Sequence, residues 1–290
     1  MLSRKRCKLD ISESMRECGD STLLANLEKR IEVSFEMDVC KHLVDSFGGL
    51  CSLCGLRLEE EESGVTFVYI HEALRIQNDE VVRLRNEETK ILLHLRKLYL
   101  VLDLDHTLLN SAPLMHLTVE EVHLKSQTAS LQDVSKGSLF MLEFIRMMTK
   151  LRPNIRTFLE EANQMFEMYI YTMGDRPYEL EMAKLLDPSG KYFSNRVISR
   201  DDGTQRHQKS LDVVLGQESA VLILDDTESA WAKRKDNLIL MERYNFFASS
   251  CHQFGYHCKS LSELKSDESE PDGALSSVLK VLKRIHPYVL

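Results

Sequence analysis

The sequence predicts an α/β protein, a parallel sheet flanked by helices, and three observations predict it. From residue 98 onward short apolar or β-branched runs recur, amphipathic stretches of helical length separate them, and several runs end in Asp or Thr. The runs "LYLVLDLD" (98–105), "FEMYIYTMG" (166–174), "AVLILDD" (220–226) and "NLILM" (237–241) read as buried strands. Between them "NIRTFLEEANQMF" (154–166) and "RPYELEMAKLLD" (176–187) read as amphipathic helices. Residues 112–151 form a long insertion between the first strand and the first clear helix, readable as a flap or an accessory element.

The flanks follow from composition. Residues 1–34 read as a polar N-terminal tail. Residues 35–97 read as an accessory region: a Cys/His cluster, a turn and alternating strand in "EEEESGVTFVYIHEAL", then a helix in "NDEVVRLRNEETKILLHLRK". A main domain over 98–262 is followed at 263–290 by the acidic linker "KSDESEPDG" and the amphipathic helix "ALSSVLKVLKRIHPYVL". No apolar run reaches the ~18–20 residues that span a bilayer, and no signal core opens the chain, which points to an intracellular protein without membrane contact. Seven scattered cysteines, an odd number, argue against a disulfide framework. The net charge of −8 disfavours direct nucleic-acid binding. "RKRCK" (4–8) reads either as a nuclear-localisation patch or as a solvated basic tail.

Chemistry concentrates where the strands end. In open parallel sheets ligands gather beyond the carboxyl ends of the strands. Asp103 and Asp105 end one strand, Thr172 another, Asp225 and Asp226 a third. Four carboxylates close together repel one another unless a cation joins them, and oxygen donors suit Mg²⁺. A carboxylate can also attack phosphorus to give an aspartyl-phosphate, with a second one as general acid and then base. Such chemistry needs a positive group on the phosphoryl oxygens, and Lys209, before a predicted helix in "HQKSLDVVLG", is the natural candidate.

"LVLDLDHTLLNS", with the motifs that follow over about 98–262, resembles the haloacid-dehalogenase superfamily, and within it the phosphatases of the RNA polymerase II C-terminal domain. The flanks "SGVTFVYIHEALRI" and the final helix are similar to those of plant members. The resemblance implies a Rossmann-like sheet and a Mg²⁺-dependent protein serine/threonine phosphatase in the nucleus, acting on the phosphorylated polymerase repeat, with general transcription factors as further partners. It implies that Asp103 is the nucleophile and a metal ligand, and that Asp105 is the general acid/base with its backbone carbonyl on the metal. Thr172 and Lys209 would hold phosphoryl oxygens, Asp226 would complete the metal site, and Asp225 would support it. Arg152 matches an arginine near the substrate and Thr107 a position that fixes the loop after the nucleophile, and plain structural support explains either residue equally well. "DPSGKYFSNRVISRDDG" (187–203) is similar to the family's short strand-rich insertion, where Arg196 and Arg200 read as phosphopeptide contacts or as ordinary surface arginines.

The sequence also departs from the family. Asn154 stands where Gly is frequent, and Asp175 brings a negative charge close to an anionic substrate. Larger members continue into a BRCT domain beyond the point where this sequence stops, which implies weak recruitment or recruitment through another protein. Two other functions stay open: a small-molecule phosphatase on the same scaffold, and a phosphopeptide-binding scaffold with a weak site. Cys40, His42, Cys51 and Cys54 have the softness and spacing of a Zn²⁺ site, and ordinary thiols explain them equally well. "CHQFGYHC" (251–258) and Trp231 read as core.

Overall fold

The computed structural model describes residues 64–71, 74–205, 207–256 and 258–289, with the backbone at 46–47 and 50–51. Short strands Ser46–Phe47 (β1), Leu50–Cys51 (β2), Gly64–Thr66 (β3) and Leu74–Gln77 (β4) form an antiparallel sheet in the order β2-β1-β4-β3. The stretch read as one alternating strand is therefore two, separated by a turn. Helix α1 (Asn78–His94) follows and buries Val81, Leu84 and Leu92 along one stripe. Cys40, His42 and Cys54 lie outside the described residues, and of Cys51 only the backbone is described, so the zinc expectation falls outside them too.

Strand β5 (Leu98–Leu102) is buried at every position, which is why its sequence runs apolar without alternation. The chain then leaves the main sheet for a second one, built from Leu109–Pro113 (β6), Leu139–Leu142 (β7) and Met147–Leu151 (β8) in the antiparallel order β6-β8-β7. This is the insertion, and its Ala112, Leu124, Leu139 and Met148 share a small second core with Tyr244, Phe246 and Phe247 from much later in the chain. Helix α2 (Ile155–Met165) returns the chain to β9 (Phe166–Tyr171), and α3 (Arg176–Leu186) leads on to β10 (Val197–Ile198). Strands β11 (Val221–Asp225) and β12 (Leu238–Leu240) complete a five-stranded parallel sheet in the order β10-β9-β5-β11-β12. Leu84 of α1, Phe158 of α2 and Met182 of α3 share one core with it. Short helix α4 (Ala248–Gln253) and the final α5 (Ala274–Val289) follow, with Leu275, Leu279 and Leu282 of α5 buried in the same core, and α5 packed on α2. No helix among the described residues is long and apolar enough to cross a membrane.

Three local readings change. The segment 187–203 supplies the two-residue edge strand β10 and a 3₁₀ turn, so the strand-rich insertion is 109–151 instead. The helix expected after Lys209 is a single 3₁₀ turn, Leu211–Val213. Part of the acidic linker is docked: Asp267 pairs with Lys150 at 2.7 Å and accepts from the Tyr244 hydroxyl at 2.8 Å, and Glu268 pairs with Arg152.

Candidate active site

Strand register brings the acidic residues together. Leu102 pairs with Leu224 across β5 and β11, so the next step along both strands sets Asp103 beside Asp225, and the Asp103 amide donates to the Leu224 carbonyl at 2.9 Å. Here β9 lies on one side of β5 and β11 on the other, the switch point at which an open parallel sheet forms its crevice. Lys209 reaches between the two carboxylates, with Nζ 2.5 Å from Asp103 Oδ1 and 2.6 Å from Asp225 Oδ2. Trp231 donates its indole N–H to Asp225 Oδ2 at 2.8 Å, and the Thr227 amide donates to Oδ1 at 2.8 Å. The ammonium of Lys209 also lies over the Tyr171 and Trp231 rings. Asp226 faces Arg243, whose Nε lies 2.8 Å from Oδ2 without hydrogen-bond alignment.

Carboxylate oxygens of Asp103, Asp225 and Asp226 fall within 4.8 Å of one another, the acidic cluster of metal-binding geometry among the described residues. Burial first and Asp225 second push Asp103 well above the usual carboxylate range, against the pull of Lys209. Burial likewise raises Asp226, opposed by Arg243. Burial draws the Lys209 ammonium down, but Asp103 and Asp225 outweigh it and leave its pKa raised. Three crowded carboxylates against two cations form an oxygen-only donor set short of positive charge, and a hard divalent cation fits it.

Asp105 faces the other way. Its Oδ1 accepts from the Tyr178 hydroxyl at 2.5 Å, and Oδ2 from Thr172 Oγ1 at 3.5 Å. Burial raises its pKa, opposed by the Tyr178 hydrogen bond, and a carboxyl inclined to keep its proton is suited to give one up during reaction. The Tyr178 oxygen also lies 2.8 Å from Ser111 Oγ, whose hydroxyl can donate to it while the Tyr178 proton goes to Asp105, so the insertion helps to set this edge of the pocket. Gly174 has to be glycine here: a Cβ would lie 2.7 Å from the Tyr178 ring.

Arg152 is engaged by the protein itself, as the structural-support alternative for it expects. Its side chain is fully buried and all five N–H donors are engaged. Nε and Nη2 donate to the two Glu268 oxygens at 3.0 and 2.6 Å, Nη1 to the His106 and Thr107 carbonyls at 3.4 and 2.9 Å, and Nη2 also to the Glu242 carbonyl at 3.0 Å. No donor is left for a phosphoryl oxygen, so Arg152 supports the loop behind Asp105. Thr107 is buried in that loop, and its carbonyl serves Arg152. Arg196 is buried as well, donating to the Met168 and Tyr192 carbonyls and paired with Glu167, a scaffold role. Arg200 stays half-exposed, with its amide bonded to the Gly174 carbonyl at the rim. Asp175 caps α3 by accepting from the Tyr178 amide at 3.0 Å, so its charge is spent on the helix N-terminus. Asn154 takes the left-handed conformation at φ 65°, which asparagine tolerates better than most side chains. Tyr178, Ser111, Arg243 and Glu268 were not singled out in the sequence, and Trp231 proves to be a hydrogen-bond donor to Asp225 as well as core.

A parallel sheet that delivers Asp103 and Asp105 from its central strand, faced by Lys209 and an Asp pair from neighbouring elements, is the architecture of the haloacid-dehalogenase class. The chain belongs to the NLI interacting factor-like phosphatase family, whose model matches residues 98–265. It is 65% identical over 263 residues to RNA polymerase II C-terminal domain phosphatase-like 4 of Arabidopsis thaliana, covering 90% of this chain and 59% of that protein. It is 44% identical over 223 residues to RNA polymerase II C-terminal domain phosphatase-like 3 of the same plant, covering 73% of this chain and 18% of that protein. The solved structure of Fcp1, described as an essential RNA polymerase II CTD phosphatase, superposes with a TM-score of 0.55 at 26% identity, covering 71% of this chain and 66% of that chain. This chain thus spans about three fifths of the length of the first Arabidopsis relative and about a fifth of the second.

Proposed function

We propose that the protein is a Mg²⁺-dependent protein serine/threonine phosphatase acting on the phosphorylated C-terminal repeat of RNA polymerase II in the nucleus. The observation that carries this reading is the division of labour between two aspartates of one strand end: Asp103 sits with Lys209 and the acidic cluster, while Asp105 is turned toward Thr172 and Tyr178. Family membership and relatives named for polymerase-tail phosphatase activity support the substrate class.

Asp103 Oδ attacks phosphorus, forming the aspartyl-phosphate as the serine or threonine P–O bond breaks. Asp105 gives its proton to the leaving oxygen, then takes one from the water that attacks the aspartyl-phosphate, releasing inorganic phosphate and restoring both aspartates. Lys209 and Thr172 hold the equatorial oxygens against the charge that develops there. Asp103, Asp225 and Asp226, with the Asp105 carbonyl, would hold Mg²⁺, which would neutralise charge on the phosphoryl group when bound.

The test is phosphate release from a phosphorylated repeat peptide, with Mg²⁺, with chelator, and with Asp103→Asn. Release that requires both Mg²⁺ and Asp103 is the expected result. Peptide binding without release from the parent protein would mean a phosphopeptide reader and would overturn the enzymatic reading.

A further inference from the structure

We propose that Glu268 is a positioning residue for this site, fixing through Arg152 the turn that carries Asp105. The proposal rests on the phosphatase reading above and deepens it. Glu268 lies beyond the residues matched by the family model, in a stretch that reads as linker.

The turn after β5 is tight and needs outside support. The Leu104 carbonyl accepts from the amides of Thr107, Leu108 and Leu109, and His106 closes the turn at φ 66°, a conformation that costs a non-glycine residue about 1 kcal/mol. The carbonyls of His106 and Thr107 directly follow Asp105; Arg152 Nη1 donates to both, at 3.4 and 2.9 Å, and the Tyr244 amide shares the first at 2.8 Å. Arg152, together with the Tyr244 amide, therefore holds the turn that carries Asp105 from outside.

Glu268 in turn decides where Arg152 sits. Among the described residues it is the one carboxylate paired with this guanidinium, and it engages two faces of the fork at 3.0 and 2.6 Å. The other partners are neutral carbonyls, so without Glu268 a fully buried cation is left without a counter-charge. The neighbouring Asp267 reinforces the arrangement: it holds the hydroxyl of Tyr244, whose ring lies against the Arg152 guanidinium and whose amide donates to the His106 carbonyl at 2.8 Å. Two consecutive acidic residues of the strap thus bear on one turn. Glu268 also accepts from the Ala274 amide at 3.4 Å, which ties the start of α5 to the same point.

The experiment uses the full chain and four variants: Glu268→Gln, Glu268→Asp, Arg152→Gln and the Glu268→Gln/Arg152→Gln double, with the exposed Asp272→Asn as control. Amide hydrogen exchange is read at residues 104–109 and across β5 and β11, and steady-state kinetics are read on the phosphopeptide. Glu268→Gln is expected to speed exchange at 104–109 while the sheet stays protected, and to lower kcat by about 10- to 100-fold with KM changed less than about twofold. Glu268→Asp recovers part of kcat, the double variant is no worse than Arg152→Gln alone, and the control matches the parent. Unchanged exchange at 104–109 overturns the proposal, as does a rise in KM at constant kcat, which would make Glu268 a substrate contact. If the parent releases no phosphate the phosphatase reading falls, while the exchange measurement still decides whether Glu268 fixes the turn.

Discussion

Tyr178 divides one hydroxyl proton and two lone pairs between Asp105 and Ser111, residues 73 and 67 positions away in the chain. Removing that hydroxyl leaves Asp105 without its short bond while the ring continues to fill the space beside Gly174. Leaving a buried polar group without its partner costs ~1–3 kcal/mol, so Tyr178→Phe is expected to lower kcat roughly 10- to 100-fold, with a thermal midpoint close to that of the parent. Phosphate release and a melting curve on the same preparation check both halves; a variant that melts early would mean the hydroxyl mainly serves packing. The distances along the chain also explain what the sequence disclosed. Asp103, Asp105, Thr172, Asp225 and Asp226 were legible because each directly follows an apolar run, and a buried parallel strand can place its polar residues only at its end. Lys209 was legible as the cation such a cluster requires. Tyr178, Arg243 and Glu268 carry no local pattern, since their partners lie on other elements. Arg152 stood out through its family motif, but its partner 116 residues onward, which takes two of its donors, did not.

Helix α3 shows what burial does at the level of an element. Glu179 in its first turn has a fully buried side chain and faces Arg176, which also bonds Asp202 at 3.1 Å and the Val197 carbonyl of β10 at 2.8 Å. Burial outweighs that arginine and pushes Glu179 up to about 8. Its folded pKa thus lies above its unfolded one, so the folded state binds the extra proton between about 4.5 and 8, and stability falls as pH rises through that window. Glu179→Gln, which keeps the shape and cannot ionise, is expected to flatten this dependence and to melt a few degrees above the parent near pH 8, with the difference vanishing near pH 5. Melting curves across that range decide it; parallel curves at every pH would show Glu179 ionised in the fold. The elements themselves were mostly legible: β5, β9, β11, β12 and helices α1, α2, α3 and α5 all stand where periodicity set them. The insertion was not, because its strands are short and their antiparallel pairing joins residues up to 42 positions apart, as Leu109 with Leu151. The edge strand β10 was hidden for the same reason, with two residues and no period to read.

At the scale of the whole molecule, α5 closes the core that β5 opens. Leu275, Leu279 and Leu282 are buried, Asn154 at the head of α2 donates to Ser276 at 2.7 Å, and His286 meets the Arg96 carbonyl just ahead of β5. Each buried leucine contributes ~1.5–3 kcal/mol, against a total stability of ~5–15 kcal/mol for a domain. A chain cut after residue 262 is therefore expected to lose most of its stability, seen as a collapsed melting temperature or loss of soluble protein; a truncated form that melts with the parent would show α5 to be dispensable. The boundary expected at 262 in the sequence thus cuts through a packed unit. The insertion presents the opposite case. Leu109 and Leu151 face each other, so the chain leaves and re-enters on a single rung, and Arg152 is the first residue home. The segment 110–150 is held there also by side contacts: Asn110 accepts from the Phe246 and Phe247 amides, Glu121 from the Ala248 amide, and Lys150 pairs with Asp267. The segment that frames the Ser111 edge of the pocket is thus anchored on one side to the strand that ends in Asp103 and on the other to the chain after β12, so a disturbance of either anchor is felt in the pocket.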